Sequence, residues 1–348
     1  MNDLDAILLA AADCTARGER YGLATVISVR GSSYRRPGAR LLVPETGDAV
    51  GLVSGGCLEG EAARMTREAL ARDVPLVFTI DHSQEGDEVW GSGLGCRGIL
   101  ELFAEPAALA ADTIQALNAA RNAGERTILL TSLDGQRSRL SVDEAMALGP
   151  RAERGVSEGR PASLGDAVLD PISSPPHLVI CGAGPDAPPL VEAATSLGWR
   201  VTVADPRRPL LASAALGEAR RVEAQPGDAA DRIGRQPVSA VVIMSHDYLR
   251  DGEYLAGFLG RGIPYLGVLG PRDRTERLLA ELANDDVAVT DADRASLHAP
   301  AGLDLGADGP TEVALAIVAE ILAVLRDGSG AHLRDRPGPI HPADQPPM

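Results

Sequence analysis

Lysine is absent from all 348 residues, and every one of the 33 basic residues is arginine. That single absence removes the P-loop lysine, a pyridoxal Schiff-base lysine and a lysine general base. Positive charge is scarce overall, with a formal net charge of -16. Nucleic acid and anionic membrane surfaces both demand a basic footprint, so both are excluded as partners. The four cysteines (Cys14, Cys57, Cys96, Cys181) contain no C-x-x-C pair, which leaves zinc-ribbon and thioredoxin chemistry without ligands. No H-E-x-x-H, G-x-S-x-G or two-histidine-one-carboxylate pattern occurs. No apolar run reaches the ~18–20 residues of a membrane span. The acidic opening MNDLDAILLAAADC lacks a basic n-region and a small-residue cleavage site, unlike a signal peptide. Together these features predict a cytoplasmic protein with free thiols.

What is present is apolar material, 45% of the chain, beside 24% charged residues. Single cores rarely grow beyond ~250–300 residues, so this length predicts two domains. An amphipathic helix is expected over Leu4, Ile7, Leu8 and Ala11, then a strand over Gly22–Arg30. Short strands follow at Arg40–Pro44 and Ala49–Val53, then a helix LEGEAARMTREALARD, then strands Leu76–Ile80 and Ile99–Phe103. A helix near Ile114–Ala120 and a strand Thr127–Leu130 complete an α/β or α+β domain over 1–148. Apolar periodicity fades over 149–176, which reads as a linker with at most a short hairpin. From 177 to 326 strand, glycine turn and helix alternate, as in a doubly wound parallel sheet. The Pro/Gly/Asp-rich residues 327–348 read as a disordered tail.

In the second domain Gly182-Ala183-Gly184-Pro185-Asp186-Ala187 follows an apolar strand and opens a helix, a G-x-G-x-x-A turn in Rossmann context. Gly182 permits the tight turn, Gly184 lets backbone approach a pyrophosphate, and Ala187 lets helix and strand pack closely. Asp205 closes the next strand where a ribose 2′-hydroxyl acceptor is expected. Pro185, Pro188 and Pro189 each remove an N–H donor from that anion site. His246 lies at the carboxyl end of a later strand, where Rossmann ligands bind.

Three N-terminal loops are richer in special residues than a scaffold needs. The first, Gly31 to Ala39, offers Ser32, Ser33, Arg35 and Arg36, and arginine forks suit phosphate or pterin oxygens. The second, Ser54-Gly55-Gly56-Cys57-Leu58-Glu59, sets a thiol at a helix start, where the thiolate is favoured. The third, Trp90 to Gly98, holds Gly95 and Cys96 in a run that permits close approach to a ligand. Cys57, Cys96 and His246 are therefore the candidate reactive residues, while Cys14 and Cys181 read as small buried hydrophobes.

Taken in order, Gly31-Ser-Ser-Tyr-Arg-Arg-Pro-Gly38, Ser54-Gly-Gly-Cys-Leu-Glu59 and Gly93-Leu-Gly-Cys-Arg-Gly98 ending in Glu105-Pro106 resemble the XdhC/CoxI family. So do Gly182 to Ala187 with Asp205-Pro-Arg207, Ser245-His-Asp247, Tyr265 to Gly270, and Ala301 to Gly306 followed by Thr311 to Glu320. Arg97, where a glycine is often found, and Pro185, where a histidine is common, depart from the pattern. The resemblance implies an accessory protein for molybdenum hydroxylases such as xanthine dehydrogenase, which binds the molybdenum cofactor as cargo and helps its sulfuration and delivery. It implies a hydroxylase client, a cysteine desulfurase partner and a homo-oligomer. The site residues would be the loop residues above, with Cys57 or Cys96 as a soft contact to molybdenum, and the Rossmann crevice would take NAD(P) or another nucleotide. The competing reading is an NAD(P)-dependent oxidoreductase with His246, Asp247 or Tyr248 as acid or base. It leaves the N-terminal loops without a task.

Overall fold

The structure is a computed structural model describing residues 2–31, 33–81, 98–234 and 236–337. The chain forms two compact units that divide after Ser174.

The first unit starts with α1 (Asp3–Ala16), capped by the Asn2 side chain, which accepts the Asp5 N–H. Then come β1 (Tyr21–Gly31), β2 (Arg40–Pro44), β3 (Val50–Gly51), α2 (Glu59–Arg72), β4 (Leu76–Asp81), β5 (Gly98–Glu105) and α3 (Ala107–Ala123). The strands form an antiparallel sheet in the order β3-β2-β1-β5-β4. Alternate residues of β1 point to opposite faces, as strand geometry requires. Ala24 and Val26 pack under α2 with Ala62, Ala63 and Ala69, while Leu23 packs with Ile7, Ala11, Ile114 and Leu117 of α1 and α3. A helix on each face of an antiparallel sheet makes this an α+β unit.

The unit continues through β6 (Thr127–Ser132), β7 (Arg137–Leu140), α4 (Val142–Met146), α5 (Pro150–Glu158), β8 (Ala162–Ser163) and β9 (Ala167–Ile172). These strands build a second antiparallel sheet, β7-β6-β9-β8. The stretch 149–176 is therefore folded rather than a linker. Its helix buries Ala152, Gly155 and Val156, residues too small to produce visible apolar periodicity. Charged pairs tie the two sheets together. Arg40 on β2 grips both carboxylate oxygens of Asp170 on β9 at 2.9 and 2.8 Å. Arg137 on β7 bonds the buried Glu105 of β5, whose other partner is Thr113 at 2.7 Å. Burial pushes the Glu105 carboxyl up, against the opposing pull of Arg137.

The second unit spans Pro175–Asp335. Its elements are β10 (His177–Cys181), α6 (Ala187–Ser196), β11 (Arg200–Ala204), α7 (Arg208–Leu211), β12 (Arg220–Val222), α8 (Ala229–Ile233), β13 (Ala240–Ile243), α9 (Tyr248–Phe258), β14 (Tyr265–Val268), α10 (Arg272–Asn284), α11 (Asp291–Ser296), β15 (Leu297–His298) and α12 (Pro310–Leu325). Six parallel strands run β12-β11-β10-β13-β14-β15, the doubly wound order with its switch point between β10 and β13. Even residues of β10, Leu178 and Ile180, face α6 and α12; odd ones, Val179 and Cys181, face α8, α9 and α10. Of the expected disordered tail, residues 327–337 are placed, and Gly328 closes the end of α12 by donating to the Ala323 carbonyl at 2.8 Å. Residues 338–348 lie outside the described residues.

Candidate functional site

The Gly55-Gly56 loop leads into α2, and its geometry is set by Glu59. One carboxylate oxygen, Oε1, accepts the N–H groups of Val53 (3.2 Å) and Ser54 (2.9 Å). The other, Oε2, accepts the Leu58 N–H at 3.1 Å and the Ser54 hydroxyl at 2.8 Å. The Ser54 hydroxyl oxygen accepts Gly56 N–H (3.2 Å) and Leu58 N–H (3.1 Å) in turn. The helix start thus holds an anion already, supplied by its own first residue. Burial raises the Glu59 carboxyl, but the Ser54 hydroxyl and these N–H groups outweigh it and hold the carboxyl below its usual range. Sequence reasoning had Glu59 only as the last residue of the Ser54–Glu59 motif.

With the loop interior tied to Glu59, its tip faces outward. Gly55, Gly56 and Cys57 are all exposed, and the Cys57 sulfur lies 3.7 Å from the Ser54 hydroxyl. A Cβ at Gly56 or Gly60 would meet nothing within 4 Å, and one at Gly55 would touch only Tyr34 Cβ at 4.0 Å. That contact brings the first loop beside the second. Tyr34, 69% exposed, is a neighbour of the tip that was not among the candidate residues read from the sequence. In the same loop Ser33 is half-buried, and Arg35 is ion-paired with Asp3 of α1. The Arg36 carbonyl accepts the Ala39 N–H. Ser32, Gly95 and Cys96 lie outside the described residues. Cys14 and Cys181 are buried, and burial pushes both thiols up, Cys181 strongly.

The Rossmann turn is also satisfied from within. Gly182 has φ +117°, and a Cβ there would sit 2.8 Å from the Met244 carbonyl and Ser245 Cα, so the turn passes hard against the end of β13. Ala187 is fully buried against the sheet, as close helix–strand packing needs. Asp205 is fully buried, and its carboxylate accepts Ala183 N–H (2.8 Å), Arg207 N–H (2.8 Å) and the Arg207 guanidinium at 2.8 and 2.7 Å. Burial raises its carboxyl, but Arg207 and the two N–H groups hold it below the usual range. A ribose hydroxyl would have to displace Arg207. Across 182–189, Gly182, Ala183 and Ala187 already donate within the protein, and 185, 188 and 189 are proline. Among the described residues, only Gly184 and Asp186 keep backbone donors for a pyrophosphate there.

His246 takes a left-handed backbone (φ +59°), rare for a non-glycine residue, and its Nε2 lies 2.7 Å from the Asp186 carboxylate. This pair joins the glycine turn to the β13–α9 loop across the switch point, with Gly184 beneath the imidazole. The loop is fixed from below by buried Asp251, which accepts the Ser245 hydroxyl at 2.6 Å and pairs with Arg274 at 2.7 Å. Asp247 caps α9 through the Leu249 and Arg250 N–H groups, and the Tyr248 ring lies under Arg274. Neither is placed as a free acid or base.

The fold and loops define a class: an α+β unit presenting a glycine–cysteine tip, joined to a Rossmann unit whose turn is closed by its own side chains. Residues 14–81 match the model of the XdhC and CoxI family, and residues 178–321 match that of the XdhC Rossmann domain. The chain belongs to the XdhC and CoxI family. A Bacillus subtilis protein described as a probable subunit of xanthine dehydrogenase is 28% identical over 87% of this chain and 93% of its own. An uncharacterized Escherichia coli protein, YqeB, is 25% identical over 93% of this chain, which spans 46% of that longer relative. A crystal structure from Bacillus halodurans described as a xanthine dehydrogenase superposes with a TM-score of 0.75 at 28% identity, covering 97% of this chain and 98% of its own.

Proposed function

We propose that this protein is an accessory factor for a xanthine-dehydrogenase-type molybdenum hydroxylase, carrying the molybdenum cofactor as cargo and supporting its sulfuration and insertion. Family membership and the Bacillus relatives support the accessory role. The observation that carries the cargo reading is the bare tip Gly55-Gly56-Cys57, with Tyr34 beside it. Glycines without neighbours let a flat pterin lie against backbone, and an exposed thiol is a soft donor for molybdenum or its sulfur. The cargo's phosphate would need donors other than Val53, Ser54 and Leu58, whose N–H groups serve Glu59. Cysteine desulfurase and client would then meet this face.

The engaged Asp205 and the proline-rich α6 start weigh against an NAD(P)-dependent oxidoreductase, which needs both a ribose acceptor and pyrophosphate donors. The test is to purify the chain from a molybdenum-replete host and measure pterin fluorescence after oxidation. We expect pterin with the wild type and its loss in Cys57→Ser at unchanged melting temperature. Wild-type protein free of pterin, together with tight calorimetric binding of NAD(P), would reverse the assignment.

A further inference from the structure

His246 is a candidate reactive residue to which the cargo-carrying tip gives no task. It stands past the carboxyl end of β13 in a left-handed backbone (φ +59°), a strain that a glycine would not bear. Its imidazole is 54% exposed, and Nε2 lies 2.7 Å from the Asp186 carboxylate. An ionised carboxylate can only accept a hydrogen bond, so Nε2 carries the proton and Nδ1 keeps its lone pair. Among the described residues the hydrogen bonding of the ring ends at Nε2.

The ring is held as well as oriented. Ser245, the residue before it, donates its hydroxyl to buried Asp251 at 2.6 Å and its N–H to the same oxygen at 3.1 Å. Asp251 pairs in turn with Arg274 at 2.7 Å. A histidine, an orienting carboxylate and a fixed backbone are the parts of a general base. The neighbouring hydroxyl is committed to Asp251, which leaves water as the nucleophile. The surroundings also select the substrate. Arg207, Arg250 and Arg274 each face a carboxylate, of Asp205, Asp247 and Asp251, so a substrate anion would meet Asp186 without an unpaired partner among them. A neutral acyl group fits better, because the N–H groups of Gly184 and Asp186 are open to a carbonyl oxygen. Gly184 itself is uncovered, since a Cβ there would meet only the imidazole, 4.0 Å away.

We propose that His246 and Asp186 form a hydrolytic dyad for a small neutral carboxylic ester. His246 Nδ1 takes a proton from water as the water oxygen bonds to the carbonyl carbon, and the Gly184 and Asp186 N–H groups receive the oxyanion. The ester C–O bond then breaks and the proton on Nδ1 passes to the departing oxygen, giving a carboxylic acid and an alcohol. The probe is p-nitrophenyl acetate, with the full chain carrying Cys57→Ser so that the exposed thiol cannot take the acetyl group. In that background His246→Gly, which the left-handed backbone accommodates, is expected to keep the melting transition of the Rossmann unit and to lower kcat/KM by about a hundredfold. Added imidazole is expected to restore about tenfold, beyond its own reaction with the ester measured without protein. Asp186→Asn, which no longer fixes the tautomer, is expected to lose about tenfold. Hydrolysis no faster than without protein, or unchanged in His246→Gly, would overturn the proposal. So would a loss that imidazole fails to restore, because His246 would then serve only to clasp the two loops.

Discussion

The glycine turns that run into α2 and α6 are both shaped to hold an anion. At the start of α2 the anion is the carboxylate of Glu59, reached from the helix itself. In the Rossmann turn it is Asp205, reached from the neighbouring strand and locked by Arg207. The difference lies in what remains on the surface. The first turn leaves two bare glycines and a thiol; the second leaves an Asp186–His246 pair over prolines. A glycine-rich turn therefore specifies a backbone shape, and the ligand depends on whether the chain already fills that shape.

Substitutions can sharpen this contrast, with unfolding followed separately for each unit because two units need not melt together. The largest effect is expected at Gly182→Ala, where overpacking against Met244 and Ser245 adds to left-handed strain, a loss of about 4 kcal/mol in the Rossmann transition. A loss under 1 kcal/mol would mean the turn relaxes freely. Asp205→Ala leaves Arg207 unpaired beside the buried Ala183 N–H and should destabilise the same transition by about 3 kcal/mol, with no nucleotide present. If that variant melts like the wild type, the carboxylate is held for a ligand and not for the turn.

Glu59→Ala strands several N–H groups at the α2 start, and about 2 kcal/mol should vanish from the first unit. Glu59 and Asp205 are both held below the ordinary carboxyl range, so their stabilisation is complete above about pH 4–5 and disappears as pH falls through the lowered folded values. Acid titration of the Glu59→Ala and Asp205→Ala proteins should show a shallower loss than the wild type. The smallest effect is Gly60→Ala, in open space at ordinary φ, expected to stabilise by about 0.5–1 kcal/mol. Reduced pterin retention in that stabilised variant would place the cargo against α2.

Much of this architecture is legible from residue order. β1 is the strand expected at Gly22–Arg30 lengthened by one residue at each end, and the helix expected over LEGEAARMTREALARD contains α2. The strand–turn–helix–strand–acid pattern around Gly182 and Asp205 marks the doubly wound sheet correctly, because β-branched runs and turn glycines act locally. What escapes is small or distant. Helix α5 packs through Ala and Gly, and β8 is two residues long, so neither leaves a periodic trace. At the site, Cys57 and the glycine pair stand out in sequence, whereas the Tyr34–Gly55 approach and the His246–Asp186 pair depend on the folded chain. Arg35 looks available for a ligand until Asp3, 32 residues earlier, is seen to hold it.

The bond from Arg40 to Asp170 also decides where this protein can be cut. A fragment ending near residue 148 would keep Arg40 and lose Asp170, stranding a guanidinium that is only 9% exposed. It would also strip β9, with Leu169 and Ile172, from the edge of β6. The smallest piece able to display the Cys57 loop is therefore the whole span to Ser174, and the second sheet is the internal brace that an isolated first half cannot do without.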